Sequence, residues 1–128
     1  MNVMNVKGSL VLAGAVIGIS AALAGLQAAG LVDEGIVKRG VGAVLGLIVI
    51  AYANQMPKIL VPLDEPGDPA RRQGLQRFAG WTLVLGGIGY VSAFLFAPMA
   101  WAAPLAVACG VTALIIVFAR CLALRRIV

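Results

Sequence analysis

A chain of 128 residues is long enough for one domain. At 62% hydrophobic and only 12% charged, it carries more apolar surface than so short a soluble chain can bury, which excludes a water-soluble globular domain. Its net charge of +5 is no nucleic-acid signature, because the basic residues sit at the ends of apolar runs, where Lys and Arg set orientation and meet anionic headgroups.

The first apolar run, 8–32, has Lys7 at its entry as its only charge and is near bilayer length. Ala22-Leu23-Ala24 also resembles the cleavage site of a secretory signal peptide. The apolar stretch continues past that site to Leu31, so the reading taken is a membrane span. Asp33-Glu34-Gly35 then makes a turn in which Asp33 is expected to cap a helix and Glu34 to suit its first turn. The second span covers 36–55, with Lys38 and Arg39 in its first turn. Pro57 is expected to end it, with Met56 biased away from helix by the following proline.

A polar stretch, 58–76, holds Pro62, Pro66, Gly67 and Pro69 and reads as a turn-rich loop. Asp68-Pro69 is a helix start, with Asp as cap and Pro at the first helical position. That helix is expected to begin in water and continue into a third span, 78–97, ended by Pro98. After a short link through Met99 and Ala100, a fourth span covers 101–124, with Pro104 in its first turn and Arg120, Arg125 and Arg126 toward its end.

The expected fold class is therefore an all-α membrane protein, a single domain of four transmembrane helices in a compact bundle. Four spans put both termini and the 58–76 loop on one side. That side carries Lys7, Lys58, Arg71, Arg72, Arg77, Arg120, Arg125 and Arg126, while the other has only Lys38 and Arg39. Eight cations against two place both termini in the cytoplasm and the chain in the cell inner membrane. The aromatic residues agree at both boundaries, except that Tyr90 lies deeper.

Each span carries small residues at helical spacing. These are Gly14, Gly18, Ala21, Gly25 and Ala28; Gly42, Gly46 and Ala53; Ala79, Thr82, Gly86, Gly89 and Ala93; and Ala103, Ala106, Gly110 and Ala113. Such faces let helix backbones approach closely, which matters where lipid removes the hydrophobic drive. Gly86, Gly87 and Gly89 crowd together, where a helix can bend or a partner can sit close.

No Asp, Glu, His, Lys or Arg lies in the middle of a span, and such groups mark proton relays and ion paths. Small multidrug transporters, comparable in size and span count, rely on an embedded carboxylate that this chain lacks. Cys109 and Cys121 lie about 18 Å apart along one helix, too far for a disulfide. Cys109 reads as a small packing residue. Asp64, Glu65 and Asp68 balance Arg71 and Arg72 in the loop, so no metal site and no cofactor are expected. The candidate site is a polar cluster at the cytoplasmic interface: Asn54, Gln55, Lys58, Arg77 and Trp81. There Arg77 would reach a phosphate or a carbonyl at the end of the second span, with Trp81 on its face.

The function expected from these features is that of a non-enzymatic interaction or accessory component of a membrane assembly. Its partners are the bilayer and either itself or another membrane protein. The alternative is a small oligomeric transporter or channel subunit.

Overall fold

The computed structural model describes residues 3–58 and 66–126. Pro62, Asp64 and Glu65 of the expected loop lie outside the described residues. The fold is all-helical: α1 (Val3–Ala28), α2 (Glu34–Gln55), α3 (Pro69–Phe96) and α4 (Met99–Arg126), with a 3₁₀ turn (Met56–Lys58) after α2. All four helices are long and apolar enough to cross a membrane. At 22 to 28 residues each, they measure roughly 33–42 Å, against about 30 Å of hydrocarbon.

The helix boundaries follow local chemistry. α3 starts where Asp68 Oδ1 accepts the Ala70 N–H at 3.0 Å, with Pro69 at the first helical position. It stops before Pro98, with the Ala97 N–H still bonded to the Ala93 carbonyl. α4 begins at Met99, earlier than the apolar run suggests, because the Pro98 carbonyl accepts the N–H groups of both Trp101 and Ala102 at 2.9 Å. Pro104 therefore falls in the second turn rather than the first.

Three further expectations are corrected. α1 ends at Ala28 rather than continuing to Val32. Gly30 takes φ +72°, the Leu31 N–H bonds to the Leu26 carbonyl, and the Gly30 N–H bonds to the Gln27 carbonyl. This is a Schellman stop, which needs a residue tolerant of left-handed backbone. Asp33 occupies the N-cap position of α2 but makes no side-chain cap bond; its backbone carbonyl instead takes the Ile36 and Val37 N–H groups. Met56 keeps helical angles, φ −51° and ψ −48°, despite the proline after it. Pro57 is held in the 3₁₀ turn by the Gln73 amide, which donates to its carbonyl at 3.2 Å.

The interior is made of small residues. The buried hydrophobic residues are all alanines, Ala53, Ala102, Ala106 and Ala113, and among the described residues no large side chain is fully buried. The large ones point outward, with Trp81 67% and Phe96 83% exposed. A soluble protein cannot present such a surface to water, whereas lipid solvates it. Four spanning helices with this inverted apolar distribution are the build of a multi-pass membrane protein.

Contacts run between helices adjacent in sequence: α1 with α2, α2 with α3, and α3 with α4. Each pair is antiparallel. Leu23 meets Gly40 at one end of the α1/α2 pair, and the Tyr52 hydroxyl donates to Ser9 Oγ at 3.2 Å at the other. Across α2/α3, Gly42 meets Phe94, Gly46 meets Val91, Ile50 meets Gly87, and Pro57 meets Gly80. Across α3/α4, Gly86 meets Ala113 and Gly89 meets Cys109.

Candidate functional site

Glycines define where the helices come close. A Cβ on Gly42 would enter the Phe94 ring, and one on Gly46 would stand 2.5 Å from Val91 Cγ2 and 2.9 Å from Tyr90 Cδ1. Gly42 and Gly46 thus form a trough on α2. Tyr90 and Phe94 lie along it with ring centroids 5.2 Å apart and planes tilted by 44°. Tyr90 is deep in the span because its ring fills this trough, not because it anchors at an interface.

The crowded glycines of α3 serve two neighbours. Gly87 faces Ile50 of α2, whereas Gly86 and Gly89 face Ala113 and Cys109 of α4. α3 runs unbroken through them, so here they mark close approach on two sides rather than a bend. Cys109 Sγ would lie 3.0 Å from a Cβ at Gly89, and the cysteine is half-buried and in no disulfide. On α4, Ala102, Ala106 and Ala113 are buried. Ala103 is exposed, and Gly110 has no atom within 4 Å of its Cβ position. The face of α4 turned to α3 is thus rotated from the expected one.

Gly14, Gly18 and Gly25 of α1 likewise have nothing within 4 Å of their Cβ positions. Ala21 and Ala28, on the same stripe, are exposed. Among the described residues, none approaches this stripe at its glycines.

The polar chemistry is concentrated at helix ends. A helix leaves its last carbonyls without partners, and its dipole makes that end attractive to cations. At the boundary of a membrane the need is sharper, because hydrocarbon supplies no donors. Arg39, in the second turn of α2, donates from Nη1 to the Phe94 carbonyl at 2.8 Å and to the Leu95 carbonyl at 3.2 Å. At the opposite end Arg71 of α3 donates from Nη2 to the Leu124 carbonyl of α4. Gln73 closes the end of α2 in the same way through Pro57. Lys38 pairs with Glu34 one turn back at 2.6 Å, with both side chains largely exposed.

Arg39→Gln is expected to destabilise the fold by about 2 kcal/mol, the weight of a charge-assisted hydrogen bond to carbonyls left without donors. Lys38→Gln breaks only an exposed pair one turn apart and should cost no more than about 0.5 kcal/mol. Thermal unfolding of both variants in the same detergent decides the matter. Equal shifts would show that Arg39 is an ordinary boundary cation.

The expected interface cluster is looser than its sequence spacing suggests. Asn54, Gln55, Lys58, Arg77 and Trp81 lie at one end of the α2/α3 pair, all five exposed. The side chain that reaches the end of α2 is Gln73, one turn before Arg77. The cation–ring contact at this end is Arg120 over Phe78, 5.4 Å from the centroid, rather than Arg77 over Trp81. Sequence reasoning missed Gln73, Gly80 and the capping role of Arg39. The last had a legible signal, since an arginine early in α2 must face the end of α3 once the two are antiparallel neighbours.

Comparison with protein-family models, with curated proteins and with solved structures finds no match for this chain.

Proposed function

We propose that this protein is a small inner-membrane component with both termini and the 58–76 loop in the cytoplasm. It acts non-enzymatically, by holding to itself or to a larger membrane protein, and its four spans close into a bundle within that assembly. The observation that carries this reading is the open stripe of α1. Its Gly14, Gly18 and Gly25 have the small-residue spacing of helix contact faces, yet among the described residues nothing approaches them. The glycines of α2 and α3 that face neighbours are filled by Phe94, Val91 and Ile50. A face of the same kind left unfilled suits a contact with a further helix.

The orientation rests on charge. Of the two cations at the non-cytoplasmic end, Arg39 is bonded to the end of α3 and Lys38 is paired with Glu34. Few cations there remain to oppose the positive-inside bias. A thiol placed at Pro66 should label only from the cytoplasmic side, and one at Ala29 only from the other. Reversed labelling would overturn the topology.

The functional reading is tested by extracting the tagged chain in mild detergent and identifying what travels with it by mass spectrometry. A stoichiometric membrane protein, or a stable homo-oligomer, is expected. A monodisperse monomer with no partner would overturn the reading.

A further inference from the structure

A groove of about 520 Å³ opens along the seam between α3 and α4. Its walls include Phe78, Thr82 and Leu85 of α3 and Leu105, Cys109 and Ile116 of α4. Gly86 and Ala113, which meet across the seam, and Ala108 are also in its lining, so no large side chain rises from its floor. Both of its hydroxyls are turned inward to their own helices. Thr82 Oγ1 donates to the Phe78 carbonyl at 2.9 Å, and Thr112 Oγ1 to the Ala108 carbonyl at 2.7 Å. The surface offered to an occupant is therefore almost wholly apolar.

Two features identify the occupant. The first is length. From Leu105 to Ile116 the groove follows α4 for roughly 16 Å, about half of the ~30 Å hydrocarbon thickness. That is too short for a transmembrane helix, which would occupy the full span, and long enough for an acyl chain. The second is charge. One helical turn beyond Ile116 stands Arg120, held over the ring of Phe78, which itself lines the groove. Contact with a ring face uses none of the five N–H donors of the guanidinium. Arg120 therefore keeps donors for a phosphate. Among the described residues, the end of the molecule it belongs to carries eight cations against one carboxylate, Asp68, while the opposite end has two of each. The excess of positive charge among the described residues thus lies at the groove's arginine end.

We propose that the α3/α4 groove binds one anionic phospholipid. An acyl chain lies along the seam, and the phosphate meets Arg120. The site is separate from the α1 face and stands whether or not the protein has a protein partner.

The test reconstitutes the full chain in vesicles of equal parts phosphatidylcholine and phosphatidylglycerol, extracts it in mild detergent, and counts retained lipid by native mass spectrometry. One phosphatidylglycerol per wild-type chain is expected. Arg120→Gln should lower its retention more than tenfold, the loss of a charge-assisted contact. Arg125→Gln removes an exposed cation outside the groove lining and should lower it by no more than about fivefold, as any cation near an anionic surface would. Ala108→Leu fills the groove, leaves Arg120 in place and should also release the lipid. Equal losses in the Arg120 and Arg125 variants, or full retention in Ala108→Leu, would overturn the proposal. So would efficient disulfide cross-linking of two copies through Cys109 in the membrane, because the groove would then be an interface between chains.

Discussion

Gly80→Leu is expected to prevent the chain from folding, and Gly80→Ala to destabilise it by up to about 2 kcal/mol. A Cβ at Gly80 would lie 2.8 Å from both Cδ and Cγ of Pro57 and 2.9 Å from the Ala53 carbonyl oxygen. None of these atoms is the far end of a flexible side chain. Two belong to a closed ring and the third to the backbone of α2. Inserting a methyl group into such a contact costs about 1–3 kcal/mol. Replacing glycine by alanine inside a helix returns up to ~1 kcal/mol, so the alanine variant should lose only the difference. Leucine adds a branched side chain that the seam cannot admit. Gly14→Ala is the matched control, because no atom lies within 4 Å of its Cβ position. It should be neutral or slightly stabilising. Thermal midpoints in one detergent compare the three, with Trp81, next to Gly80 in sequence, as a fluorescent reporter. If Gly80→Ala and Gly14→Ala shift the midpoint alike, the α2/α3 contact at Pro57 is not a constraint on folding.

The number and type of helices were legible in the residues because bilayer thickness imposes a length that apolar runs display directly. The starts and stops were legible where a side chain or a proline sets them, as Asp68, Pro69 and Pro98 do. They were not legible where a backbone angle sets them. Gly30 stops α1 by adopting φ +72°, and nothing in the apolar run Gly30-Leu31-Val32 distinguishes that glycine from the many others. Which neighbour each glycine meets was equally hidden, because it depends on helix rotation. Gly80 matters only because Met56 stays helical and so carries the Pro57 ring to α3, against the usual bias before proline. Arg39, Arg71 and Gln73 act on carbonyls of neighbouring helices, and backbone carbonyls leave no mark in a sequence. The grouping of Arg77 with Trp81 relied on their four-residue spacing. That spacing gives a shared helix face but does not say whether the face looks inward, and both side chains are exposed.

Gly18→Leu is expected to weaken association with the partner, or between copies of the chain, at least tenfold while leaving the isolated chain as stable as before. The two effects separate because of where Gly18 lies. Among the described residues nothing is within 4 Å of its Cβ position, so leucine meets no internal obstacle there and gains helix propensity. Between helices in lipid, burial of apolar area gives no advantage over contact with acyl chains, and association depends on close fit. A leucine in the middle of the stripe holds two backbones apart along the whole seam, since Gly14, Ala21 and Gly25 lose their contacts together with it. A loss of about 1.4 kcal/mol already gives the tenfold change. Gly110→Leu supplies the comparison, because Gly110 on α4 is also open but lies on a different helix. Co-purification yield and native mass would be read for wild type and both variants. If association survives Gly18→Leu and fails in Gly110→Leu, the partner sits on α4, and the α1 stripe faces only lipid. If it survives both, close small-residue contact is not how this protein joins an assembly.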